Sequence, residues 1–284
     1  MVHDSSVAAI GRTLALIGGA LVATLALAAL YVGVVWMRLP SVDSAGDTGD
    51  PGRTPFQRAD RCESIDVRYR PLDAIDPRLG CAVVIAEDIN FFHHDGVDWA
   101  ALRAAVRDSW RAGRPVRGAS TIPMQLARNL WLDRGRHPSR KLREVLLAPR
   151  LVDRYDRRRL LELYLNVAEL GPCVYGAEAG AQHYFGHGAD RLDLAEATFL
   201  AAMLPRPRTP PGSVRGDRIR VQSRQRQLID AFWKLGLVPS AQTRAAAREL
   251  VRFWRQGWTG HEPVAAAPGD QEWYARGCGT GRNR

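Results

Sequence analysis

The feature that most constrains this chain is a run of 25 residues without a charge, TLALIGGALVATLALAALYVGVVWM from Thr13 to Met37, bracketed by Arg12 and Arg38. Roughly 20 apolar residues at about 1.5 Å each cross a hydrocarbon core, so the run reads as one helix that spans a bilayer with some tilt. Tyr31 and Trp36 near its end suit the membrane interface. A cleaved signal sequence is the competing reading. Its apolar stretch would be about 7–15 residues long and would lead into a small-residue cleavage site. The greater length here favours an uncleaved anchor. Arg12 stands on one side and Arg38, Arg53 and Arg58 on the other. The positive-inside balance therefore does not favour an N-in orientation, and orientation must come from the chemistry of the residues beyond the helix.

That segment and the composition around it divide the chain into four parts. Residues 1–38 hold a short leader and the membrane helix, and 39–59, opening with LPSVDSAGDTGDPGRTP, read as a Gly/Pro/Ser/Asp-rich linker. Residues 60–255 form a globular domain, and 256–284, Gly- and Ala-rich from Gly260, form a flexible tail. Within the domain the apolar residues recur at helical spacing and strand-like alternation is scarce, so the fold class is mainly α. Trp99, Leu102, Val106 and Trp110 make one stripe behind an Asp98 cap. Leu160, Leu161, Tyr164 and Leu165 make another, and Asp193 and Glu196 stand at capping-box spacing. Pro149, inside LLAPRLV, should kink its helix or divide it in two.

Charge narrows the partners. Lys+Arg is 40 against Asp+Glu 30, for a net +10, and only Lys141 and Lys234 are lysines. Nearly all the positive charge is therefore guanidinium, suited to bidentate binding of phosphate-like anions. Nucleic acid is not the expected partner: its binders interleave basic residues with exposed aromatics, whereas the aromatics here lie on apolar helix stripes. Cys62, Cys81, Cys173 and Cys278 have no zinc-site spacing. In an oxidising compartment they allow two disulfides in any of three connectivities, and Cys81, within an apolar run, reads equally as a buried thiol.

The chemistry starts at CAVVIAEDINFFHHDG, residues 81–96. An apolar run that meets Glu87 and Asp88 is either a helix showing a polar edge to solvent or a helix delivering a carboxylate into a cleft. In the second case burial raises the Glu87 pKa and makes it a usable proton acceptor near neutral pH. The adjacent His93, His94 and Asp95 do not make a metal site, because neighbours in sequence rarely face one ion together. Further along come GASTIPMQLARNLWL (118–132), RKLRE (140–144), LLELYLNVAELG (160–171), YGAEAGAQHYFG (175–186) and DLAEATFLAAMLPRP (193–207).

Taken in this order and spacing, these segments resemble the family 51 glycosyltransferases, the peptidoglycan glycosyltransferases that polymerise lipid II, over about residues 65–210. The likeness is strongest to the monofunctional, membrane-anchored biosynthetic transglycosylases. A transpeptidase domain, which the bifunctional relatives add, needs a Ser-x-x-Lys nucleophile. Pro138 and Ala231 stand three residues before the two lysines. The resemblance implies a mainly α, lysozyme-like glycosyltransferase domain behind a single transmembrane helix. It further implies an inner-membrane, single-pass protein with a periplasmic catalytic domain. Its expected partners are lipid II, the growing glycan strand, the membrane, and cell-wall or division proteins.

The resemblance also assigns roles. Glu87 matches the general base, which deprotonates the 4-hydroxyl of the acceptor sugar, with inversion and departure of undecaprenyl diphosphate. Glu144 matches a second catalytic glutamate, which either holds a divalent ion such as Mg or Mn or positions the cations that meet the diphosphate; no cofactor is fixed. Asp88 supports Glu87. Asp88, Ser120, Thr121, Gln125, Arg128, Arg136, Arg140 and Lys141 are the expected substrate-binding residues. Asn129 and Glu169 are expected to be structural. Two departures stand out: Met124 replaces a family glutamine after Pro123, and Arg128 replaces a lysine, keeping charge but changing contact geometry. Two rivals stay open, a lysozyme-like hydrolase or lytic transglycosylase and a non-catalytic, membrane-anchored basic scaffold.

Overall fold

The computed structural model describes residues 2–43, 50–60, 62–114, 116, 118–135, 137–208, 215–256, 272–275 and 277–279. The helices in chain order begin with α1 (Val2–Met37), α2 (Pro55–Arg58), α3 (Pro77–Glu87) and α4 (Trp99–Ala112). Next come α5 (Ile122–Trp131), α6 (Pro138–Arg154), α7 (Arg157–Val167) and α8 (Ala177–Phe185). The last are α9 (Leu194–Met203), α10 (Arg215–Lys234), α11 (Ser240–Gln256) and α12 (Glu272–Ala275). Three short strands, β1 (Asp66–Val67), β2 (Glu169–Gly171) and β3 (Val174–Tyr175), form a sheet of order β1–β3–β2, parallel on one side of β3 and antiparallel on the other. The mainly α expectation is met. Residues 1–41 and 42–284 are separate compact units. Within the first, Leu14–Met37 is long and apolar enough to cross a membrane.

The second unit is organised around α3 and α9. Asp76 caps α3 by accepting from the Arg78 amide, Pro77 occupies the first helical turn, and every residue from Pro77 to Val84 is buried. Helix α9 is apolar on all sides and buried on all sides, so it serves as the core post against which α3, α10 and α11 pack. It opens on the expected capping box of Asp193 and Glu196. Helices α5, α6 and α7 form the neighbouring layer, with α5 packed on both of the others.

Two expectations need correction, for the linker and the tail, and two more, for Pro149 and the α4 stripe, are made definite. The linker 39–59 ends in structure: Thr54 and Gln57 close a capping box around α2, and buried Phe56 packs the helix onto α5. Local capping chemistry overrode a loop-like composition. The tail 256–284 contains a docked piece, α12 and the turn Gly277–Gly279, with Trp273, Tyr274 and Cys278 buried. Trp273 meets Phe232 edge-on at 5.9 Å, and a Cβ at Gly80 would lie 2.2 Å from the Tyr274 hydroxyl, so glycine there admits the ring. Helix α6 runs through Pro149 undivided. Gly96, at φ +92°, abuts that point, where an added Cβ would come within 2.6 Å of the Ala148 carbonyl and the Pro149 nitrogen. Finally, the α4 stripe forms behind its Asp98 cap but faces outward, with Trp99, Val106 and Trp110 exposed by 56, 60 and 87%. Periodicity sets which residues share a face, not what covers it.

The cysteines are paired Cys62–Cys173 and Cys81–Cys278, so Cys81 is not a free thiol. The second bond ties the docked C-terminal piece to the middle of α3.

Candidate active site

Helix α3 ends where its chemistry begins. After Glu87 the backbone leaves the helical region at Asp88 (φ −158°, ψ 72°). The Asp88 carboxylate is buried and spent on architecture: it accepts from the Ile122 amide at 2.8 Å, opening α5, and from His94 Nε2 at 2.9 Å. His94 Nδ1 in turn accepts from the Gly96 amide, so the ring carries its proton on Nε2. Asp88 therefore pins the end of α3 to the start of α5. Although expected among the substrate-binding residues, it has a side chain only 3% exposed and lines neither of the two cavities that adjoin the site.

The Glu87 carboxylate is held at both oxygens. Gln125 Nε2 donates to Oε2 at 2.9 Å, and the Arg224 guanidinium, from α10, donates to Oε1 at 2.6 Å. Gln125 is itself oriented by Tyr164, whose hydroxyl donates to Gln125 Oε1 at 3.0 Å. Burial of Tyr164 pushes its hydroxyl far above the ordinary phenol range, so it stays a donor. The Glu87 side chain is 13% exposed. That burial drives its pKa above the ordinary glutamate value, against the Gln125 hydrogen bond and the charges of Arg224 and Arg128, which pull it down. Of the two ways an apolar helix can end on a carboxylate, α3 does not show a polar edge to solvent: Glu87 is turned inward onto Gln125 and Arg224.

Two cavities adjoin the groups that hold Glu87. One, of about 640 Å³, is lined by Gln125, Tyr164, Arg128, Arg140, Arg134 and Arg208 among others. The other, of about 810 Å³, is lined on its basic side by Arg114, Arg206, Arg220 and Arg224. Pro205 and Arg206 border both. Arg128 is aimed by Asn129, which accepts from its Nε at 3.2 Å, and by the Phe56 ring beneath it.

Glu144 lies on α6 with its side chain only 2% exposed. Lys141 Nζ donates to its Oε2 at 2.8 Å and also to Ser120 Oγ at 2.6 Å. Arg140 Nε stands 3.3 Å from Oε1 as an ion pair without the alignment of a hydrogen bond. A single carboxylate flanked by two cations is a poor donor set for Mg or Mn, since the cations already hold the places a divalent ion would take. The residues fit the other reading, a counter-charge that organises cations.

The remaining expected site residues divide. Ser120, Arg128, Arg140 and Lys141 are brought together around the first cavity and Glu144; Gln125 links that cavity to Glu87. Thr121 is a cap: it accepts from the Met124 amide and donates to the Gly96 carbonyl at 2.5 Å. Arg136 lies outside the described residues. Met124 is 1% exposed and packs with Val97 and Ala148, so this departure from the family pattern sits in the core and not on the cavity wall. Asn129 and Glu169, expected to be structural, both line the first cavity. Glu169 and Asp60 anchor Arg134 and Arg208 at its far end, where the Arg208 hydrogen bond holds the Asp60 carboxyl down at about 2.

Sequence reasoning missed Arg224, Tyr164, Arg134 and Arg208. Tyr164 was legible only as a member of an apolar stripe. Arg224 sits in RVQSRQRQ, where nothing local separates it from its neighbours.

The sequence pattern of the transglycosylase family matches residues 55–232, well over half of the chain and all of the site just described. The chain belongs to that family. It is similar to the biosynthetic peptidoglycan transglycosylase of Alcanivorax borkumensis, 47% identical over 152 residues, which cover 54% of this chain and 62% of that protein. The protein of the same name from Chromobacterium violaceum is 44% identical over 158 residues, covering 54% and 69%. That of Azoarcus is 40% identical over 206 residues, covering 67% and 85%.

Proposed function

We propose that this chain is a peptidoglycan glycosyltransferase that polymerises lipid II into β-1,4 glycan strands, with Glu87 as general base. The observation that carries this reading is a buried carboxylate of raised pKa whose two partners, Gln125 and Arg224, each line an arginine-rich cavity. A polymerase joining two diphosphate-linked sugars needs a base within about 3 Å of the attacking hydroxyl and fixed positive charge where the diphosphate departs. In the proposed step Glu87 takes the proton of the acceptor 4-hydroxyl. The oxygen bonds to the anomeric carbon of the growing chain with inversion. The bond to undecaprenyl diphosphate breaks, and its electron pair leaves with the diphosphate, met by Arg128, Arg140 and Lys141. Glu144 keeps Arg140 and Lys141 in register.

Membrane placement accords with the same reading. The candidate span Leu14–Met37 supports a single-pass anchor. Two disulfides need an oxidising compartment, which supports a periplasmic catalytic domain on the inner membrane. The outward stripe of α4, with Trp110 beside Arg107 and Arg111, suits a bilayer interface. Lipid II, the glycan strand and the membrane are the partners this requires.

The test is polymerisation of labelled lipid II by the detergent-solubilised full chain, beside a digest of purified cell wall. Strand product from lipid II and no released muropeptides supports the reading. Muropeptide release without polymer supports glycan cleavage instead.

A further inference from the structure

We infer that Arg224 is a positioning residue for the proposed base, fixing one oxygen of Glu87 and the carbonyl end of α3 so that the carboxylate meets substrate unprotonated. This deepens the polymerase reading and rests on it. The geometry is direct. One guanidinium nitrogen of Arg224 donates both to Glu87 Oε1 at 2.6 Å and to the Ala86 carbonyl at 2.9 Å. The Ala86 carbonyl is among the last of α3, which no intrahelical amide satisfies, and an arginine at a helix C-terminus is favoured by the helix dipole. The same contact therefore ends the helix and neutralises the side chain that the helix delivers.

Among the described residues no other cation does this. Arg128, on α5, acts on Glu87 through space, but its Nε is given to Asn129 and its guanidinium lies over Phe56. From α5 the direct contact is the neutral amide of Gln125, and from α7 Tyr164 acts through that amide. Asp88, the neighbouring carboxylate, is engaged by His94 and the Ile122 amide. Helix α9 brings Glu196, which is tied to His187, and α12 brings Tyr274, which lies over Gly80, two turns back along α3. With the Arg224 charge removed, burial is opposed by one neutral hydrogen bond and one more distant arginine. The sign is then fixed: losing a nearby positive charge disfavours the anion, so Glu87 holds its proton to higher pH. Arg224 comes from a helix that shares no sequence motif with the base, and only the packing of α10 on α3 brings the two together.

The experiment uses the full chain with Arg224→Gln and Arg224→Lys. Two readouts are taken: the pH profile of kcat on labelled lipid II, and the titration of the Glu87 carboxyl by ¹³C NMR after selective labelling. Arg224→Gln should move the acidic limb of kcat, and the NMR titration with it, upward by about 1–3 pH units. Its rate should recover at alkaline pH, and Arg224→Lys should restore most of the limb. A uniform loss at every pH with an unmoved titration would overturn the inference and leave Arg224 a packing residue. Absence of polymer from the unsubstituted chain would instead overturn the polymerase reading, while the titration would still decide the role of Arg224. Should Arg224→Gln fail to fold, the NMR titration of Arg224→Met, which also removes the charge, decides alone: an upward shift of the Glu87 titration supports the inference, and an unmoved one would overturn it.

Discussion

Glu87 and Glu144 are the same residue type, both nearly buried, and both contacted by two side chains, yet their surroundings prepare them for different work. Glu87 is held by one cation and one neutral amide, at the end of a helix buried along most of its length. The outcome is a carboxylate whose proton affinity is raised by burial but which remains fixed in direction. Glu144 is held by Lys141, itself half-exposed, and stands beside Arg140. Its negative charge is already matched by cations, and Arg140 lines the neighbouring cavity. On the proposed reading one carboxylate accepts a proton and the other holds positive charge in place. Burial alone does not make a base; the nature of the partners does.

The two glutamates should part most visibly under amide substitution. Glu87→Gln, which keeps shape and loses basicity, should lower kcat on lipid II by about 10²–10⁴ with the fold intact by circular dichroism. Glu144→Gln should cost about tenfold and act mainly on KM for the diphosphate substrate, since what it frees is the register of Lys141 and Arg140. Equal losses in kcat for the two variants would erase the distinction. In the active protein kcat should rise with pH along a limb lying above 4.5, the ordinary glutamate value. The direction is set because the base works only when deprotonated and burial raises its pKa.

A second difference is mechanical. Helix α3 is braced by Cys81–Cys278, whereas α6 carries no disulfide. Replacing both cysteines by alanine should cost about 2–5 kcal/mol in urea unfolding. A loss in kcat well below the melting temperature, with KM for diphosphate substrate preserved, would assign that brace to Glu87 in particular. Smaller again is Tyr164→Phe, which leaves Gln125 Oε1 without its donor. It should cost about 1–3 kcal/mol of stability and loosen the amide that meets Glu87. Smallest is Ser120→Ala: its partner Lys141 keeps Glu144, so kcat/KM should fall by about twofold or less. A tenfold loss there would mean that the hydroxyl contacts substrate directly.

Much of this was legible without coordinates where one residue type and its immediate neighbours settle the matter. The uncharged run 13–37, the Asp98 cap, the Asp193–Glu196 box and the apolar delivery of Glu87 all depend on contacts within a few residues. Ordered motifs carried the family, and the cation set around Glu144 was readable because Arg140, Lys141 and Glu144 share one helix face. The docked α12 was hidden for the opposite reason. Its burial depends on Gly80 and Cys81, nearly two hundred residues earlier, and the stretch that leads into it is Gly- and Ala-rich.

Sequence by itself determined that the chain carries a membrane-length helix, that the rest is mainly helical, and that Glu87 ends an apolar helix. Helical periodicity, capping and hydropathy are local and survive being read one window at a time. Only the tertiary structure decided that Arg224 meets Glu87, that Thr121 and Asp88 serve the backbone, that Met124 faces the core, and that the α4 stripe is left uncovered. Those outcomes depend on which helices pack together, and a contact between residues 137 positions apart leaves no mark on either neighbourhood.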